Sequence, residues 1–160
     1  MTEWCARHSF RRFTDEQQAG DFVGRVEQQF AEAQPTRLAF AMVDRANGEF
    51  VGLCGLVFKP ELQDAEVWYL LRPDRSGSGI ASEAVHALVE HALGAYRLHR
   101  IWASCLPENG ASVRVLEKVG FRREGLLRQN LPIRGAWRGT YVYALLAGEW
   151  VGRAAPRPAA

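Results

Sequence analysis

With 160 residues, 48% of them hydrophobic and 24% charged, the chain suits one domain able to bury a substantial core. A formal net charge of +2 is too small to argue for nucleic acid or an acidic membrane surface, and no basic stripe with stacked aromatics accompanies it. Cys5, Cys54 and Cys105 are an odd count without CxxC spacing, which argues against a disulfide framework and for a reducing, cytoplasmic setting. No apolar run approaches the ~20 residues of a membrane-spanning helix, and Met1 to His8 lack the apolar core of a signal peptide. No His/Cys/Asp cluster has metal-ligand spacing, so no metal is expected.

In chain order, residues 1–13 carry large side chains without a clear period. Thr14 reads as a helix N-cap, followed by Asp15 and Glu16 in a first turn that favours acids. That helix should present Phe22, Val23, Val26 and Phe30 on one face and fade before Pro35. Arg37 to Asp44 and Phe50 to Val57 read as strands joined at Asn47-Gly48, a strong hairpin signal. Gly52 and Gly55 mark either a bulge, a close backbone approach or plain packing. Pro60 to Asp64 is a loop, and Ala65 to Leu71 a strand. After it comes a short loop of small residues with Gly77 and Gly79. The helix that follows carries Ile80, Ala81, Ala84, Val85, Leu88, Val89 and Ala92 at helical spacing, with Gly94 as a plausible C-cap. Leu98 to Cys105 is a further strand, with Ile101, Ala103 and Cys105 on one face. Asn109 should cap a helix over 111–119, closed by Gly120. Phe121 to Leu131 and Thr140 to Ala147 read as the last strands, separated by a turn region holding Gly135 and Gly139; residues 151–160 should fray. The pattern predicts an α/β architecture (α+β by some schemes) over residues 1–150, a mixed sheet with helices on its faces.

The loop from Arg75 to Ala81 is the stretch with chemical content. A glycine loop that enters a helix leaves backbone N–H groups unpaired where the helix dipole adds positive potential, so it suits a phosphate. Arg72 and Arg75 flank it and could add charge-assisted bonds. Taken alone, the same loop is equally well an ordinary tight turn.

Three linked motifs resemble the GNAT acetyltransferase superfamily, in particular the Rim-type branch that includes ribosomal-protein-alanine N-acetyltransferases. Ser76-Gly77-Ser78-Gly79-Ile80-Ala81 is similar to that superfamily's pyrophosphate loop, usually Q/R-x-x-G-x-G/A, and Ser82-Glu83-Ala84 to the branch's A-T-E-A run. Asn109 to Gly125 resembles its N-x-x-S-x-x-x-L-E-K-x-G-F-x-x-E-G signature, and Tyr143 to Trp150 its closing strand. The resemblance runs from about residue 36 to residue 150. It implies a mostly antiparallel central sheet flanked by helices, with a shortened or atypical N-terminus. Ser76 stands at the Q/R position and Gly139 where an acid is frequent. The usual first strand has no counterpart before Thr14. Its loss would leave sheet hydrogen-bonding groups for a second copy, as a homodimer, or another segment to cover.

The activity implied is transfer of acetyl from acetyl-CoA to a primary amine by direct attack, the acceptor being a protein N-terminus or a small amine. The alternative is a non-catalytic CoA-binding or protein-interaction module on the same fold. By resemblance, the cofactor is held by the loop residues Arg75, Ser76, Gly77, Ser78, Gly79, Ile80 and Ala81 and by the strand edge Leu70, Leu71 and Arg72. That edge splays from the strand ending at Cys105, and a backbone N–H near Leu70 polarises the thioester carbonyl. Asn109 would add an amide contact to the pantetheine arm beside its capping role. Ser112 would donate to the leaving thiolate; otherwise it is a serine bonded back to the preceding turn. Glu66, on one strand face with Trp68 and Leu70, is either a base of raised pKa acting through water or an exposed acid at a strand start. Tyr143 is a weaker candidate acid; Glu83 and Glu124 read as structural, and Cys54 and Cys105 as core. Arg134, Trp137 and Arg138 could favour an acceptor bearing a carboxylate, although an exposed turn explains them as well.

Overall fold

The computed structural model describes residues 36–59, 61 and 63–150. Residues 1–13, the helix expected after Thr14 and the tail 151–160 lie outside them. The described chain forms β1 (Arg37–Val43), β2 (Phe50–Lys59), β3 (Asp64–Leu71), α1 (Ile80–Tyr96), β4 (Arg100–Cys105), α2 (Gly110–Val119), β5 (Arg122–Ile133) and β6 (Ala136–Leu146). The strands make one six-stranded sheet in the order β1-β2-β3-β4-β6-β5. Every neighbouring pair is antiparallel except β3 and β4, which are linked through α1 and run parallel. This is the mixed, mostly antiparallel sheet that the motifs imply.

Strand alternation sorts side chains to two faces. Leu38, Leu56, Val67 and Ile101 point to the face covered by the helices and are at most 2% exposed. Val85, Val89 and Ala92 of α1 and Leu116 of α2 close over them. Each fully buried Val or Leu contributes about 2 kcal/mol through removal of apolar surface from water.

Local signals account for most element ends. Gly48 takes φ +73° in the β1–β2 turn, where Asp44 Oδ1 and Asn47 Oδ1 accept from the amides of Ala46 and Glu49. Asn109 caps α2 by accepting from the Ser112 amide at 3.2 Å, and Gly120 ends it at φ +109°. Gly52 and Gly55 are positions of close approach: a Cβ at Gly55 would overlap the Leu38 carbonyl and the Trp68 ring, and one at Gly52 the Leu70 carbonyl.

Two expectations are corrected. Gly94 does not end α1, which continues to Tyr96 and stops at Arg97, φ +50°. The extra turn sets the Tyr96 ring 4.8 Å from Phe58, an apolar contact that outweighs the local glycine signal. The last two strands also run through the expected turn region and meet at Arg134-Gly135, both at positive φ. Gly139 belongs to a bulge: Arg128, Gln129 and Asn130 are inserted opposite it, since Leu127 pairs with Thr140 and Leu131 with Arg138. A Cβ at Gly139 would stand 2.8 Å from the Leu127 carbonyl, so the inserted backbone leaves no room for an acidic side chain there.

Candidate active site

β3 and β4 are paired over Asp64–Arg100, Ala65–Ile101 and Glu66–Trp102, and then diverge. Beyond Glu66, β3 keeps its pairing with β2 as far as Leu71, while its other edge has no strand beside it among the described residues. The strand register fixes which groups face the opening. The Arg72 amide donates to Val51 O at 2.9 Å, and the Arg100 amide to Gln63 O at 3.3 Å. Alternate residues of a strand turn their N–H and C=O to opposite sides. Leu70 therefore bonds Leu53 of β2, whereas Tyr69 and Leu71 turn their main-chain groups into the opening; the Val67 N–H closes the last rung with Trp102. The Leu70 N–H is thus not the group that faces the gap; strand parity gives that place to Tyr69 and Leu71.

The divergence makes a cleft of about 300 Å³, lined by residues that include Glu66, Tyr69, Cys105, Asn109, Ser112 and Thr140. Because the gap passes through the sheet, side chains from both faces reach it. Glu66 enters from one face and Tyr69 from the helix-covered face, where its hydroxyl donates to Ser112 O at 3.3 Å. Burial raises the Glu66 carboxyl above its ordinary range, against the lowering pull of Lys59 and Arg37. That is the direction expected for a base. Burial also pushes the Cys54 and Cys105 thiols up to about 11, which favours the thiol over the thiolate at neutral pH. Tyr143 is buried and donates to Glu117 Oε1 at 3.1 Å, outside the lining of the cleft.

At the carboxyl end of β3 the chain turns through Pro73–Arg75 and enters α1. The amides of Arg75 and Ser76 are used inside this turn, donating to Arg72 O and Pro73 O. From Gly77 to Ser82, by contrast, no amide finds a partner among the described residues. Gly77 and Gly79 hold φ +82° and +86°, with open space where a Cβ would stand. Main-chain donors therefore line a mouth that an anion can approach.

The flanking guanidiniums are engaged elsewhere. Arg72 bonds both oxygens of Asp74 and the Phe50 carbonyl; Arg75 pairs with Glu49 and, at 3.7 Å, with Asp44. They brace the loop against the β1–β2 turn, and it is Gly77 to Ser82 that present free donors. Glu124 is the extra residue of a second bulge in β5 and meets Arg100 at 2.6 and 2.7 Å. Glu83 is exposed on the first turn of α1. Trp137 is 63% exposed, and Arg138 stands 3.9 Å from Glu108. Among the described residues no three His, Cys, Asp or Glu groups gather as a metal site, and no helix is long and apolar enough to cross a membrane.

Tyr69 and Thr140 are cleft residues that sequence reasoning missed. Tyr69 carries a signal, since it shares the odd positions of β3 with Leu71; Thr140 lines the cleft from β6, where it pairs with Leu127 beside the bulge opposite Gly139.

Comparison with known proteins bears on the family and the fold. The family model described as the acetyltransferase (GNAT) domain matches residues 1–122. The uncharacterized N-acetyltransferase p20 of Bacillus licheniformis is 34% identical over 88% of this chain and 78% of its own length. The alanine N-acetyltransferase of ribosomal protein uS5 from Escherichia coli is 27% identical over 73% of this chain and 61% of its own. The chain spans 60% and 50% of two further curated relatives from Bacillus subtilis. Among solved structures, Mycobacterium smegmatis RimJ in complex with CoA-disulfide superposes with a TM-score of 0.71 at 36% identity, covering 81% of this chain and 63% of that one.

Proposed function

The chain belongs to the GNAT acetyltransferase domain family, and from that premise we propose that it moves the acetyl group of acetyl-CoA to a protein N-terminal amine by direct attack in a ternary complex. The observation that carries this reading is the alignment of two sets of unpaired main-chain donors at one end of β3. One is the odd-numbered edge of the strand; the other is the run from Gly77 to Ser82. A diphosphate suits the second set, and the amide-bearing arm of CoA suits the first. Asn109, at the cleft wall, adds a side-chain amide to the same arm.

The thioester supplies the acetyl carbon; the chain's residues orient it and handle protons. An N–H at Tyr69 or Leu71 donates to the carbonyl oxygen as charge develops there. Glu66, its carboxyl raised by burial, takes the amine proton through a water. As the new C–N bond forms and the C–S bond breaks, Ser112 gives a proton to sulfur and regains one from solvent. The likeness to the uS5 alanine N-acetyltransferase supports a peptide N-terminus as acceptor.

The test is a panel of peptides with free N-termini and of small amines, incubated with acetyl-CoA and read by mass spectrometry. Acetylated peptide N-termini are expected. Thermal stabilisation by CoA without product on any amine would instead identify a non-catalytic CoA binder, and products confined to small amines would move the acceptor class.

A further inference from the structure

We propose that Tyr69 is a positioning residue for the transfer, its buried phenol tying Ser112 to the strand whose open edge would carry the CoA arm. The inference rests on the function proposed above and concerns a residue outside all three motifs that carry the family resemblance.

Past Glu66 nothing in the sheet holds β3 and β4 together. α2 follows β4, so the position of its first turn relative to the end of β3 is not set by strand pairing. Tyr69 spans that gap. Its main-chain groups face the opening, its ring packs against the core, and its hydroxyl reaches Ser112 O at 3.3 Å, across 43 residues of sequence. On the other side, Asn109 Oδ1 accepts from the Ser112 amide at 3.2 Å. Both main-chain poles of Ser112 are therefore held, one by its own cap and one by the opposite wall of the cleft, and its hydroxyl is left to face the cleft. Burial keeps the phenol protonated well beyond the ordinary tyrosine range, so it remains a donor wherever the enzyme works. A proton donor must come within about 3 Å of the atom it serves, and loss of the strut would let the first turn of α2 drift from the sulfur.

The experiment compares kcat, the KM for acetyl-CoA and thermal stability for wild type, Y69F, S112A and the double variant. Y69F keeps the ring and loses only the hydroxyl; kcat should fall about tenfold with the KM within about twofold. The double variant should be no slower than S112A alone, since the strut acts through Ser112. Placing 3-fluorotyrosine at position 69 retains the hydroxyl and should restore kcat to within about twofold, which keeps the test open should Y69F fold poorly. Unchanged kcat in Y69F, losses that add in the double variant, or no rescue by fluorotyrosine would each overturn the positioning role while leaving the acetyl-transfer reading intact. Full turnover in S112A would remove Ser112 and this inference together. A wild type that acetylates nothing would overturn the proposed function itself.

Discussion

The two rims of the cleft are built from different materials. The rim from Gly77 to Ser82 works through main-chain amides and needs its side chains to be absent or small. The rim formed by Tyr69, Asn109 and Ser112 works through side-chain atoms, and the Tyr69 hydroxyl and Asn109 Oδ1 hold the main chain of Ser112 from two sides. The difference teaches how each can fail. The first is broken by adding atoms or forcing φ, the second by removing atoms.

The largest effect should come from G79V. A β-branched residue at φ +86° is strained and brings bulk to the mouth of the loop; CoA affinity measured by calorimetry should drop at least about fiftyfold while the fold persists. Retained affinity would show that the loop amides do not bind the diphosphate, and the contrast between the rims would collapse.

E66Q keeps the shape of a cleft side chain but removes its charge and its titration, and should lower kcat/KM by roughly ten- to a hundredfold. The acid limb of the wild-type pH–rate profile should lie above the ordinary carboxylate range, because burial raises this group, and it should vanish in the variant. The sign for stability is the reverse. A carboxyl whose folded pKa is raised contributes stability below its unfolded value and loses it as pH rises through the folded one. E66Q should therefore melt at or above the wild-type temperature at neutral pH, with the difference gone in acid. An unshifted acid limb in E66Q would assign the base elsewhere.

R75Q should have the smallest effect. Arg75 braces the loop through Glu49 and Asp44 on a partly exposed surface, and such pairs are worth roughly 0–1 kcal/mol. CoA affinity should change no more than about fivefold, and less at high salt. A change as large as that of G79V would make Arg75 a direct phosphate ligand and would blur the distinction between main-chain and side-chain rims.

The parts legible in the sequence are those set by local chemistry. Asn109 announces the start of α2, Gly120 its end, and Asn47-Gly48 the hairpin, because capping and positive φ depend on a few adjacent residues. The shared face of Glu66, Trp68 and Leu70 was equally readable, but whether Glu66 is a base of raised pKa or an exposed acid at a strand start depends on burial, which only the folded cleft supplies. What escaped needs distant partners. That Leu70 is spent on β2 follows from its register with Leu53. That Arg75 faces Glu49 depends on the β1–β2 turn coming to rest beneath the loop. The Tyr69–Ser112 contact joins two elements whose separation is fixed only when the sheet divides. The full length of β5 and β6 was hidden by Pro132 and Gly139, residues that local propensity counts as breakers and that here sit at an edge and opposite a bulge.

The one-sided stitching of β3 has an implication for anyone who scans it by alanine. Rungs offered by Tyr69 and Leu71 are indifferent to what hangs from their α-carbons, so side-chain truncation leaves those amides in place. Imino acid substitution is the tool that reaches them, since it deletes the N–H itself. At Tyr69 or Leu71 it would silence one rung of the open edge; one residue away, at Leu70, it would unpick the seam with β2 instead.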